Sequence, residues 1–182
     1  VDSAARDELA GVLTAPGQPL EVREAAAVAL AAAGDRRAFE TLALLLNYRE
    51  PERAENAARA LALLGDPRTA RAAAALATNP LRVAYAVPPI RLLVQLRAPE
   101  SVPALIETLD RLLAEQTLGW DAVPACVEGL GELGDPRAAT VLRAACAHPR
   151  LRTAAVAALE RIGGYEADAS GARAASDEAP RT

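Results

Sequence analysis

Leu64-Gly65-Asp66-Pro67-Arg68 is the stretch on which the reading of this chain turns. It recurs as Ala33-Gly34-Asp35-Arg36-Arg37 and Leu133-Gly134-Asp135-Pro136-Arg137, and in degenerate form as Leu96-Arg97-Ala98-Pro99-Glu100. A half-copy closes at Ile162-Gly163-Gly164. Gly34, Gly65, Arg97, Gly134 and Gly163 stand 31, 32, 37 and 29 residues apart. Self-similarity at such a period marks a solenoid, in which each unit buries its apolar face against the next.

The chemistry of each copy explains why it recurs. Ahead of the first one, Val22, Ala26, Ala29, Leu30 and Ala33 return at helical spacing and make an apolar face. Gly34 then stops the helix, because glycine accepts the left-handed conformation of a C-cap. Asp35 caps the next helix, whose first N–H groups lack partners. That helix turns Phe39, Leu42, Leu45 and Leu46 inward. In two other copies Pro67 and Pro136 follow the aspartate, where a missing N–H costs nothing.

Extended along the chain, this pattern predicts ten helices in five antiparallel pairs. The first helices fall at 4–14, 36–47, 67–78, 99–114 and 136–147. The second helices fall at 20–33, 52–64, 81–96, 121–133 and 150–162. Pro88-Pro89 is expected to kink the third of these, with Arg82-Val83-Ala84-Tyr85 as a turn before the kink. The repeat array thus occupies residues 1–163, and 164–182, small and charged, reads as a disordered tail or linker.

Composition agrees with an all-α superhelix. Of 182 residues 52% are hydrophobic, yet 46 are alanine and only five are Phe, Trp or Tyr. Side chains this small favour closely stacked helices over a large globular core. All 20 basic residues are arginine, and the net charge of −4 speaks against a general nucleic-acid binder. Cys126 and Cys146 make neither a CxxC pair nor a disulfide framework. No stretch has the length and apolarity of a membrane span, so a cytoplasmic protein is the default expectation.

Val22-Arg23-Glu24-Ala25-Ala26-Ala27-Val28-Ala29-Leu30, ending at Gly34-Asp35, resembles the short HEAT-like repeat named after phycobilisome lyases. Leu151-Arg152-Thr153-Ala154-Ala155-Val156-Ala157-Ala158-Leu159 and Ala57-Ala58-Arg59-Ala60-Leu61, running on to Gly65-Asp66-Pro67, resemble it too. The likeness covers about residues 4–163. It implies that the second helices line a concave surface, and that Arg23 and Arg152 bond to an aspartate of an inter-helix turn. Tetratricopeptide arrays have a similar period but a Trp–Leu-Gly–Tyr signature that is missing here. Ankyrin repeats want Thr-Pro-Leu-His, and the single histidine is His148. One histidine also cannot supply the paired ligands of HEAT-like iron hydroxylases.

Aligning the copies on the glycine gives two candidate exposed columns: Glu24, Glu55, Val87, Pro124, Thr153, and Val28, Arg59, Arg91, Glu128, Ala157. Beneath them Leu30, Leu61, Leu93, Leu130 and Leu159 form a constant core column. Arg59 and Arg91, in neighbouring repeats, are placed to clamp a carboxylate or phosphate; the competing reading pairs them with Glu55 and Glu128. The fourth repeat carries an insertion, Gln116-Thr117-Leu118-Gly119-Trp120, and insertions in solenoids map to loops on one face. Trp120 is either a partner anchor or a plug over the insertion.

No metal motif, phosphate loop or nucleophile elbow is present, so no catalytic, cofactor or metal site is predicted. The expected function is a non-enzymatic scaffold binding a protein or peptide partner. Its candidate contacts are Glu24, Glu55, Arg59, Tyr85, Arg91, Trp120 and Glu128. The resemblance also implies an alternative, a bilin lyase or isomerase-type subunit working with a partner subunit, which an absorbance scan with added bilin discriminates. A HEAT-like nucleic-acid binder is the third reading, disfavoured by a surface that mixes Glu with Arg.

Overall fold

The structure is a computed structural model and describes residues 2–163; the tail read over 164–182 lies outside the described residues. Its helices are α1 (Ser3–Thr14), α2 (Leu20–Ala32), α3 (Phe39–Leu46), α4 (Pro51–Leu64) and α5 (Thr69–Thr78). They continue as α6 (Val87–Leu96), α7 (Ser101–Ala114), α8 (Ala122–Leu133), α9 (Ala139–Ala145) and α10 (152–163). Short 3-10 segments, Arg36–Ala38 and Pro136–Ala138, lead into α3 and α9, and a longer one, Pro80–Tyr85, precedes α6. There are no strands among the described residues. Nor is any described helix long and apolar enough to cross a membrane.

The chain divides into two compact units, Val1–Ser101 and Val102–Thr182. In the first, α1 packs on α2, α3 on α4 and α5 on α6. The second helices stack in turn, α2 on α4 and α4 on α6, while α3 packs on α5. That is the connectivity of an α-solenoid. Its interior mixes large and small side chains: Leu30, Leu42, Leu45, Leu46, Leu61, Ile90 and Leu93 are fully buried, and so are Ala27, Ala38, Ala73 and Ala77. Alanine at those positions is what lets neighbouring helices close to packing distance.

The second unit buries Leu105, Leu109 and Leu112 of α7, Val123, Cys126, Val127 and Leu130 of α8, Leu142 of α9 and Ala155 of α10. Here Gly131 of α8 meets Ala158 of α10 with no side chain of its own in between. A Cβ added at Gly131 would stand 2.7 Å from the Cβ of Ala158 and 2.8 Å from its Cα.

The recurring pentapeptide is a hinge, as the sequence predicts. Gly34, Gly65 and Gly134 all take positive φ, at 71°, 63° and 68°. The carboxylates of Asp35, Asp66 and Asp135 then accept the backbone N–H of Arg37, Arg68 and Arg137, at 3.1, 2.9 and 2.8 Å. The same three arginines fold their guanidinium groups back onto the aspartate that caps them. Residue five of the motif is therefore the clamp on residue three. Those bonds hold the Asp35 carboxyl at about 2 and keep Asp66 and Asp135 below the usual carboxylate range. In the first unit the clamp also reaches the preceding repeat: Arg37 pairs with Asp7 at 2.8 Å and Arg68 with Glu40 at 2.9 Å. Arg68 lies over the Phe39 ring as well, 3.9 Å from its centroid.

This arrangement corrects the role implied for Arg23 and Arg152. Neither bonds to a hinge aspartate. Arg23 donates to the carbonyl of Ala15 and Arg152 to that of Cys146, in the turns within their helix pairs. A carbonyl at a helix end has no intrahelical donor and takes one from a side chain, while the aspartate already has a donor two residues away.

Three further expectations change. Pro88 and Pro89 do not kink a helix, because α6 begins at Val87 and puts both in its first turn, where the N–H groups have no intrahelical acceptor. Residues 82–85 belong to the separate 3-10 segment. Val22, assigned to the apolar face of α2, is 42% exposed. In the last repeat Leu159 is only half-buried, and Ala155, Ala158 and Ile162 fill the core in its place.

The degenerate copy keeps the hinge by other means. Arg97 takes the glycine's left-handed conformation at φ 48°. With alanine where the aspartate stood, the buried Ser101 hydroxyl accepts the N–H of Ala98 and donates to the carbonyl of Leu93. In the first copy the Asp35 N–H bonds directly to the carbonyl of Leu30, the equivalent position.

Candidate partner-binding surface

The stacking of α2, α4 and α6 brings four of the seven candidate residues, Glu24, Glu55, Arg59 and Arg91, onto one continuous face of the first unit. Leu30, Leu61 and Leu93 anchor that face from below. Above them Val28, Arg59 and Arg91 are exposed and Glu24, Glu55 and Val87 half-buried. The second column is thus the outward one.

Glu55 and Arg91, from adjacent repeats, meet at 3.3 Å. Arg59 does not join Arg91 in a two-arginine clamp; its guanidinium donates to the side-chain oxygen of Asn56, three residues earlier on α4. Glu24 faces Arg53 at 3.4 Å, and Arg53 also reaches Glu21 at 3.5 Å while lying 5.6 Å from the centroid of the Tyr48 ring. Charge therefore passes from repeat to repeat as α2 carboxylate to α4 guanidinium, then α4 carboxylate to α6 guanidinium. Arg53, Glu21 and Asn56 were missed by the column alignment. Arg53 stands two residues before Glu55, outside both columns, and its partners belong to α2, so packing alone reveals it.

Tyr85 lies off this face, in the 3-10 segment at the end of the unit where first helices turn into second ones. Its ring has the Arg49 and Arg82 guanidinium groups each 5.7 Å from the centroid.

Trp120 and Glu128 belong to the second unit. Trp120 is 45% exposed, and its carbonyl accepts the N–H of Val123 at the start of α8. The insertion therefore shapes the entry to α8 and leaves much of the indole in solvent. Glu128 projects from the exposed side of α8.

Cys126 and His148 lie outside this surface. Cys126 is fully buried and its thiol is pushed up to about 12 by burial. His148 sits in the turn before α10, where its carbonyl accepts the amides of Leu151 and Arg152. Among the described residues no three of His, Cys, Asp and Glu come together as a metal site.

None of the curated proteins compared with the chain matches it. The family model of the PBS lyase HEAT-like repeat matches residues 22–48 and 125–148. Each matched stretch runs from a second helix through a hinge into the next first helix, α2 to α3 and α8 to α9, so the matched unit has the Gly-Asp hinge at its centre. Both stretches are similar to the PBS lyase HEAT-like repeat, and each contains a capped hinge, at Asp35 and at Asp135.

Proposed function

We propose that the chain is a non-enzymatic scaffold that holds a protein or peptide partner on the α2–α4–α6 face, through Glu24, Glu55, Arg59 and Arg91. One observation carries this reading: the outward positions change from repeat to repeat while Leu30, Leu61 and Leu93 beneath them do not. The charges are also held in a fixed order by the Glu24–Arg53 and Glu55–Arg91 contacts. Neighbouring helices stand roughly 8–10 Å apart, so an extended partner meets carboxylate and guanidinium at the repeat spacing. Solvent reaches both partners of the Glu55–Arg91 pair, Arg91 more than Glu55, and such a pair contributes about 0–1 kcal/mol. A partner's own charges can replace it at little cost. Trp120 and Glu128 offer a second, separate contact on the other unit.

A photocrosslinking residue at Val28 or Arg59 tests the proposal, with Leu44, exposed on α3, as the control position. The expected result is one partner captured from the α2–α4–α6 face and not from Leu44. Arg91→Glu and Arg59→Glu should then weaken that partner about tenfold or more. Equal capture from Leu44, or indifference to both reversals, rejects the reading.

A further inference from the structure

The edge of the first unit that carries Tyr85 holds charge that the α2–α4–α6 face does not use. Arg49 comes from the turn between α3 and α4, and Arg82 from the 3-10 segment one repeat later. Both lie over the same ring, 5.7 Å from its centroid. Among the described residues neither Arg49 nor Arg82 makes an ion pair. The contrast is Arg53, which also lies over a tyrosine but is answered by Glu21 and Glu24.

Arg82 is poorly solvated in addition. Its Nε and Nη2 are buried without a hydrogen-bond acceptor, leaving Nη1 to meet water or an anion. Loss of solvent and the nearby Arg49 charge both pull its pKa below the ordinary arginine value. A cation short of water attracts an arriving anion more strongly than a fully hydrated one, because less intervening solvent screens it. Beside it Leu81 is 90% exposed, an apolar contact next to a charged one.

We propose that Arg49, Arg82 and Tyr85 form an acceptor site for a carboxylate side chain in an acidic segment of a protein partner, with Leu81 as its apolar flank. The carboxylate oxygens accept from Arg49 and from Nη1 of Arg82, both of which lie against the Tyr85 ring. A nucleic-acid backbone fits less well. Its affinity grows with the number of phosphates neutralised, and this site offers only the two guanidinium groups of Arg49 and Arg82. The inference rests on the scaffold reading for the existence of a protein partner, although the site lies outside the α2–α4–α6 face.

The test uses the full chain and a fluorescein-labelled, end-capped tetraglutamate peptide, followed by anisotropy. Saturable binding is expected, weakening with salt. Arg49→Gln should reduce affinity about tenfold. Arg71→Gln, an exposed arginine on α5, should change it by no more than about twofold. Arg82→Gln should match Arg49→Gln, but it also alters a half-buried segment, so Arg49→Gln decides. Absence of saturable binding overturns the proposal. So does equal loss in Arg71→Gln, which means diffuse attraction, or stronger competition per charge by an oligothymidylate. The peptide should still bind the Arg59→Glu and Arg91→Glu variants. Failure of the unsubstituted α2–α4–α6 face to capture a partner, with peptide binding intact, counts against that face alone, and a captured partner without saturable peptide binding counts against this site alone.

Discussion

Replacing Asp66 by alanine removes the acceptor for the Arg68 N–H and the anchor for the Arg68 guanidinium in one step. The Asp66 side chain is 2% exposed and that of Asp35 is 11% exposed, so the two hinges of the first unit differ in how readily water can replace what is lost. Loss of an N-terminal helix cap costs about 0.5–2 kcal/mol. The sheltered Asp66 belongs near the upper end, about 2 kcal/mol, and Asp35 near about 1 kcal/mol. The ion pair adds little, since the Arg68 side chain is 52% exposed and keeps its contacts with Glu40 and Phe39. Asp66→Asn, which keeps a side-chain oxygen for the amide, should therefore cost clearly less than Asp66→Ala. Urea unfolding reads the difference: with a slope of about 2 kcal/mol per molar, Asp66→Ala lowers the midpoint by about 1 M. The pH dependence carries the same information. The folded chain favours the charged hinge carboxylates, so their contribution is fully present above the unfolded aspartate value near 3.8 and is lost as pH falls toward about 2 at Asp35. Asp66→Asn should flatten that acid limb. If Asp66→Asn costs as much as Asp66→Ala, or if Asp35→Ala costs as much as Asp66→Ala, the capping argument is wrong.

Three other outcomes follow from local geometry. Gln116 holds φ at 53° on an exposed turn, so Gln116→Gly should raise the urea midpoint by about 0.5–1 kcal/mol equivalent, while Gly65→Ala, at φ 63°, should lower it by about 1 kcal/mol. A midpoint that moves the other way in either variant contradicts the left-handed assignment. Gly131→Ala should destabilise by about 1–3 kcal/mol through overpacking, and Ala158→Gly should not fully restore it, because the Ala158 Cα is itself only 2.8 Å from the added Cβ. Alkylation with iodoacetamide near pH 8 should modify Cys146 in the native chain and reach Cys126 only in denaturant, since Cys126 is fully buried with its thiol protonated; rapid double labelling of the native chain would refute this.

The hinge, the helix pairs and most of the core were legible in the residues because they depend on local chemistry. A left-handed glycine, an aspartate two residues before the amide it caps, and apolar positions at helical spacing are all fixed within one repeat. Pro88 and Pro89 show the limit of that logic, since whether they kink or begin a helix depends on where the Pro80–Tyr85 segment ends. Tertiary structure alone decided which charges meet. Glu55 finds Arg91 36 residues away, Glu24 finds Arg53, and Arg59 turns to Asn56 instead of Arg91. It also brought Arg49 and Arg82, 33 positions apart in the sequence, to the ring of Tyr85. A long side chain can reach several neighbours on the adjoining helix, and only the packing of that helix chooses among them.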